Sequence, residues 1–233
     1  MLIGGFQKLT LIDYPGKVAT VVFTIGCNFR CSFCHNPDLI KPSPEMVKVG
    51  RENEKNFFTF LEKRQGLLDG VCVTGGEPTV QPDLIPFLER IRSMGFLIKL
   101  DSNGLKPEVL KEVLKRKLAD HIAMDIKHTP EKYPLAMGAE VDMEKIKESV
   151  ELIKKSGLPY EFRTTVVPGI HTEEDFDMIG IWIRGTKNYY LQPFRDDVVF
   201  DPRVRDGAKG KSLDFEDIKK RLKKYGIDAI VRG

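Results

Sequence analysis

The chain is predicted to fold as an α/β protein, an open partial barrel of six strand–helix units with parallel strands. Strand-like apolar runs alternate with segments of helical spacing along its 233 residues. Six such units in sequence imply a parallel sheet covered by helices. The length falls short of the eight units that close a barrel of this kind, so the sheet is expected to stay open.

Residues 18–24 are a continuous β-branched and aromatic run, a buried strand by pattern. A cysteine-rich loop follows. Phe57, Phe58, Phe60 and Leu61 mark a helix ending near Gln65. Residues 71–74 are the second strand and lead into Gly75-Gly76-Glu77-Pro78. Leu84, Ile85, Leu88 and Ile91 recur with helical spacing. Residues 96–100 read as the third strand, closed by Asp101-Ser102-Asn103-Gly104, and Val109, Leu110, Val113 and Leu114 mark the helix after it. Residues 121–126 are the fourth strand, followed by Lys127. Residues 143–155 are helical, with Ile146, Val150 and Ile153 on one face. Residues 160–167 are the fifth strand, closed by Pro168-Gly169. Thr172 followed by Glu173, Glu174 and Asp175 reads as a helix start, a cap residue with acids near the positive end of the dipole. Residues 189–191 are the sixth strand, 215–225 a final helix and 227–231 a candidate last strand.

No internal repeat, low-complexity tract or Pro/Gly/Ser linker divides the chain. Residues 1–233 are therefore read as one domain, with an N-terminal extension at 1–16 and a C-terminal loop, helix and candidate strand at 195–233. The stretch 195–211 is long and charged, either mobile or a cover over the site. The 37 basic and 34 acidic residues nearly balance at +3, which predicts no strong attraction to nucleic acid or membrane. No apolar run approaches the length of a bilayer span, and no signal peptide is evident. Four cysteines, three of them clustered, fit a cytoplasmic protein.

Those three, Cys27, Cys31 and Cys34, have the spacing C-x3-C-x2-C directly after the first strand. A compact thiolate set suits an iron–sulfur cluster or zinc. A cubane held by three protein ligands leaves one iron open to chemistry. Structural zinc with His35 as fourth ligand is the bland alternative, weakened because adjacent Cys34 and His35 would have to fold back onto one metal. Cys72, in Val71-Cys72-Val73, reads as core.

Polar groups end each early strand. Gly75, Gly76 and Glu77 follow the second, Asp101, Ser102 and Asn103 the third, and Asp125 and Lys127 end the fourth. Each alone is ordinary turn chemistry or a structural ion pair. Together they would meet at the C-terminal rim of the strands, where active sites of parallel β/α folds form. The stretch Gly207-Ala208-Lys209-Gly210-Lys211-Ser212 lacks phosphate-loop spacing, and no G-x-G-x-x-G follows a strand.

On these residues the sequence resembles the radical S-adenosylmethionine (SAM) superfamily: the C-x3-C-x2-C loop with Phe33 before the third cysteine, then Gly-Gly-Glu-Pro after the second strand. Cys34-His35-Asn36, the Asp-Ser-Asn-Gly turn and Asp125-Ile126-Lys127 are similar to the glycyl-radical activating enzymes. Gly4-Gly5-Phe6-Gln7-Lys8-Leu9, Asp13-Tyr14-Pro15-Gly16 and the ending Ile230-Val231-Arg232-Gly233 resemble the activating protein of anaerobic ribonucleoside-triphosphate reductase. The likeness implies one 4Fe-4S cluster on Cys27, Cys31 and Cys34, with the methionine end of SAM on the fourth iron. It implies that Gly75, Gly76 and Glu77 hold the SAM amino group, and that Phe33 and His35 face the adenine. It places Asp101, Ser102 and Asn103 near carboxylate and ribose, with Asp125 and Lys127 completing the site. It implies an electron from flavodoxin or ferredoxin, reductive cleavage of SAM and a glycyl radical raised on a partner enzyme. The chain departs from the relatives that act on pyruvate formate-lyase after the sixth strand, where Leu191-Gln192-Pro193-Phe194-Arg195 replaces their histidine, so that Arg195 either takes that contact or it is absent. The rival readings are a radical SAM enzyme acting on a small molecule, such as a deazapurine synthase, and a non-catalytic iron–sulfur electron carrier.

Overall fold

The computed structural model describes all 233 residues. Eight strands form one sheet in sequence order. β1 (Ile3–Thr10) runs antiparallel to β2 (Ala19–Thr24). Every later pairing is parallel, through β3 (Gly70–Gly75), β4 (Leu97–Ser102), β5 (His121–Asp125), β6 (Tyr160–Val166), β7 (Tyr189–Pro193) and β8 (Ala229–Val231). β2 to β7 are the six strands expected, and the candidate last strand pairs as β8. β1 lies within residues 1–16, read above as an extension. Its Gly4-Gly5 and Gln7-Lys8 give no apolar run, because an edge strand half-open to solvent needs none.

The connections are helical: α1 (Pro44–Glu62), α2 (Leu84–Ser93), α3 (Pro107–Lys115), α4 (Tyr133–Met137), α5 (Met143–Lys155), α6 (Asp175–Trp182), α7 (Arg203–Ala208) and α8 (Phe215–Lys223). α1 starts well before Phe57. Ser43 accepts from the Met46 N–H at 3.2 Å and Pro44 fills the first helical position. Apart from Gly50, packed against Ile3 and Ile25, only the second half of α1 is buried, which is why its first half reads as polar. At α6 the expected capping is reversed: Asp175 accepts from the Thr172 N–H at 2.9 Å. α4 and α7 are too short to show periodicity.

Alternation along the strands sorts two faces. Val22, Val71, Val73, Ile98, Leu100, Ile122, Met124 and Phe162 join one cluster of 45 buried residues with Phe57, Phe58, Leu61, Leu88, Leu110 and Ile153 from the helices. Each such side chain contributes about 1.5–3 kcal/mol when fully buried. The alternate positions of β4, β5 and β6 carry Lys99, Asp101, Asp125, Glu161 and Arg163, so β4 and β6 are apolar on one face only. Cys72 belongs to this second face. It is buried, but its Sγ lies 3.9 Å from both Asp101 and Lys99 rather than in the apolar cluster.

Candidate active site

The three cysteines sit on the loop between β2 and α1. The chain braces that loop on several sides. Gly26 N–H donates to Leu39 O at 2.6 Å and Cys27 N–H to Ile40 O at 3.3 Å. The end of α4 holds the middle: Arg30 N–H donates to Met137 O at 2.9 Å, and Met137 Sδ lies 3.6 Å from Cys31 Sγ. The Arg30 guanidinium donates to the carbonyls of Cys27 and Phe29 at 2.7 and 2.6 Å. From the other side the segment after β7 crosses over: Asp201 N–H donates to Ser32 O at 2.9 Å, and His35 Nδ1 stands 3.1 Å from Val198 O. The 195–211 stretch is thus a strap against the cysteine loop, with α7 inside it.

Backbone N–H groups reach two of the sulfurs, Phe29 to Cys27 and Asn36 to Cys34, each at 3.4 Å. Burial pushes the Cys27 thiol up to about 12, with Glu77, Cys31 and Cys34 adding to it. Burial pushes Cys31 up to about 11, with Cys34 and Asp125 adding and Lys127 opposing. Buried thiols of this kind become thiolates only beside a cation, and N–H groups aimed at sulfur are among the means by which proteins tune iron–sulfur clusters. This donor set fits a cluster. His35, the candidate fourth ligand of a zinc site, faces Val198 O and the Phe194 ring instead.

Glu77 is 1 % exposed and its carboxylate accepts from four donors. These are the Thr79 N–H at 3.1 Å, the Thr79 hydroxyl, the Ser102 hydroxyl at 2.9 Å and the Asn103 N–H at 2.7 Å. Burial still raises its pKa against all four. Glu77 therefore ties the end of β3 to the end of β4. The glycines before it are required by the chain itself. Gly75 has φ +117°, and a Cβ there would overlap the Thr24 backbone, while one at Gly76 would overlap Gly26 O.

Asp101 and Asp125 are joined by a residue that the sequence reading did not single out. Arg163 on β6 donates from Nη1 to Asp101 at 3.0 Å and from Nε to Asp125 at 2.9 Å. Lys127 Nζ donates to the other oxygen of Asp125 at 2.9 Å, the ion pair expected for residues two apart on a strand. Lys99 donates to Asp101 at 2.6 Å, and Arg232 makes a bidentate pair with Glu161 at 3.0 Å on each arm. Burial would raise the Asp125 carboxyl, but Arg163 and Lys127 hold it well below the usual range. Asp101 is held low in the same way by Arg163 and Lys99. The 125–127 backbone is pinned in turn. Tyr133 bonds Asp125 O and the Lys127 N–H at 3.2 Å each, and His171 Nε2 lies 3.0 Å from Lys127 O. The Phe33 ring is buried with Lys127 Nζ 5.9 Å from its centre. Arg195 does not join the group: its side chain is 75 % exposed and pairs with Asp197 at 2.9 Å.

The cysteine loop, the Gly-Gly-Glu turn, the Asp-Ser-Asn turn and Asp125–Lys127 thus come to one rim, the first three linked by direct hydrogen bonds and Asp125–Lys127 joined through Arg163. The only sequence sign of Arg163 is an arginine inside an otherwise strand-like run; its register with Asp125 comes from the β5–β6 pairing. The rim contains no nucleophile–base pair, and Asp101, Asp125, Lys127 and Arg163 are each paired with an opposite charge.

Comparison with known proteins agrees. Residues 21–181 match the family model described as the radical SAM superfamily. A protein of Methanocaldococcus jannaschii named as a glycyl-radical enzyme activating enzyme is 33% identical over 236 residues, 99% of this chain and 95% of that protein. A pyruvate formate-lyase-activating enzyme of Clostridium pasteurianum is 34% identical over 127 residues, 54% of this chain and 52% of that one, so the match spans about half of its length. Among solved structures, QueE from Escherichia coli shares the fold at a TM-score of 0.57 and 13% identity, covering 99% of this chain and 93% of that one. The chain belongs to the radical SAM superfamily, among its glycyl-radical enzyme activating enzymes.

Proposed function

We propose that the chain activates an anaerobic ribonucleoside-triphosphate reductase, raising a glycyl radical on it with one 4Fe-4S cluster and SAM. The observation that carries the cofactor reading is the trio Cys27, Cys31 and Cys34 on one braced loop, Cys31 buried, Cys27 and Cys34 half-buried and each reached by a backbone N–H at sulfur, beside a rim with no acid–base machinery. The ribonucleotide reductase partner is supported by the likeness of both ends of the chain to that class of activase. When bound, the cluster supplies the electron that cleaves SAM, delivered to it by a flavodoxin or ferredoxin.

The chain's own residues bind, orient and exclude. Cys27, Cys31 and Cys34 would hold a 4Fe-4S cluster one protein ligand short, and the cluster would supply an iron open to SAM. Gly75 and Gly76 offer main-chain groups to the SAM ammonium, and Glu77 keeps that turn in register with Ser102 and Asn103. Asp101 and Asp125, locked by Arg163, and Lys127, paired with Asp125, would stand as fixed polar groups near carboxylate and ribose. Fixed charges of this kind need no rearrangement during the reaction. Phe33 and His35 flank the adenine, and the strap over Ser32 and His35 limits access of solvent and competing hydrogen donors. No helix is long and apolar enough to cross a membrane.

The test is anaerobic. The protein is reconstituted with iron and sulfide, reduced, and mixed with SAM and the reductase, and electron paramagnetic resonance is recorded. A glycine-centred doublet is expected, and Cys31→Ala should abolish it. Formation of 5′-deoxyadenosine without a doublet on the reductase would exclude that partner and favour a small-molecule substrate. No 5′-deoxyadenosine at all would leave an electron carrier.

A further inference from the structure

Asn28 follows the first cysteine directly, and a chain of hydrogen bonds fixes which way its carboxamide faces. The Leu105 N–H donates to Asn103 Oδ1 at 3.1 Å. With its oxygen taken, Asn103 must present Nδ2 to its neighbour, and that group donates to Asn28 Oδ1 at 2.7 Å. Turning Asn28 over would set two NH2 groups against each other, so its oxygen stays toward Asn103. The Asn103 main chain is itself fixed, its N–H donating to Glu77 at 2.7 Å. The relay therefore starts in the backbone after β4 and ends at Asn28 Nδ2. That nitrogen is shielded from solvent and has no acceptor.

Buried donors in folded proteins are nearly always bonded, and leaving one unmade is unfavourable. Here the unmade bond lies one residue from Cys27 and one hydrogen bond from Asn103, between the two segments that frame the rim. We propose that Asn28 is a further binding residue, whose Nδ2 donates to an anionic acceptor of the bound cofactors, either a cluster sulfur or the SAM carboxylate. Asn103 is the positioning residue that aims it. The inference rests on the cluster-and-SAM reading of this site and adds a ligand contact to it. The sequence reading passed over Asn28 because an asparagine inside a cysteine loop looks like turn chemistry.

The test uses Asn28→Asp, which keeps the shape and the oxygen that Asn103 needs but removes the donor. On the anaerobically reconstituted holoenzyme, the SAM dissociation constant and the cluster midpoint potential without SAM are measured. The melting temperature of the metal-free protein serves as the check on folding, and Asn28→Ala serves as a second variant. Both readouts are judged on Asn28→Ala, because the charge added in Asn28→Asp lowers potential and SAM affinity by itself. If the acceptor is the SAM carboxylate, affinity falls about 10- to 100-fold, the loss typical of a hydrogen bond to a charged group, at unchanged potential. If it is a cluster sulfur, the potential falls without SAM present, since hydrogen bonds to sulfur raise it. Asn103→Asp should reproduce the defect, because Asn28 then turns its Nδ2 toward the new carboxylate. Combined with Asn28→Ala it should add little at the rim. Unchanged affinity and potential in both Asn28 variants, with wild type binding SAM, overturns the proposal alone. Wild type that holds a cluster but binds no SAM overturns the reading of the site as well.

Discussion

Replacing Arg163 with Met tests how the charged face of the sheet is held. The substitution keeps the aliphatic stem and removes the guanidinium. Arg163 spans Asp101 at 3.0 Å and Asp125 at 2.9 Å, with Glu161 at 3.7 Å, and its side chain is only 14 % exposed. Breaking a buried pair by removing one partner costs about 3–5 kcal/mol. The low end applies here, because each carboxylate keeps another cation: Lys99 for Asp101, Lys127 for Asp125 and Arg232 for Glu161. A loss of about 3 kcal/mol corresponds to about 6–12 °C in melting temperature for a chain of this size. The sign with pH follows from the carboxyls. Both are held below their usual range when folded, so the stability they contribute is present above about pH 4 and is lost as pH falls below it. The variant holds them less low. The gap between wild type and variant should therefore be full at pH 7 and smaller at pH 3. Urea denaturation of the metal-free protein at both values measures it. A loss under about 1 kcal/mol at pH 7, or a gap that widens in acid, would refute the reasoning.

Two further outcomes are expected. Gly75→Ala should cost at least about 2 kcal/mol, since the left-handed backbone alone costs an L-residue about 1–2 and the new Cβ meets the Thr24 main chain; urea denaturation showing less than about 0.5 kcal/mol would count against the described turn. His171 is buried and its pKa is lowered by burial to about 4, with His128 stacked on it at 4.5 Å. Between about pH 6.5 and 4 the unfolded chain takes up a proton that folded His171 refuses, so stability falls with pH through that window, by about 3 kcal/mol at most. His171→Gln should flatten that slope in denaturation curves taken from pH 7 to 4, and an unaltered slope would assign it to other groups.

The parallel strands and their polar ends were legible because each signal is local: an apolar run, then a turn residue set. Cys27, Cys31 and Cys34 announced themselves by spacing, and Asp125 with Lys127 by the two-residue period of a strand. What stayed hidden depends on contacts distant in the chain. Arg163 gains its meaning only when β4, β5 and β6 lie side by side. Glu77 is recognisable as a donor-saturated junction only once Ser102 and Asn103 stand beside it. Cys72 reads as core from its apolar neighbours, yet strand alternation turns it toward Lys99 and Asp101. β1 and the first half of α1 escaped because each leaves about half or more of its length exposed. Ser43-Pro44 was the one local sign of where α1 begins.

The central claim is that the cysteine trio holds an iron–sulfur cubane rather than a single ion. Iron, acid-labile sulfide and zinc counted per chain after oxygen-free purification and reconstitution test it most directly. About four iron and four sulfide per wild-type chain are expected, with a sharp loss of both in Cys31→Ala. One zinc per chain without sulfide, or the same iron content in the variant, would contradict the account.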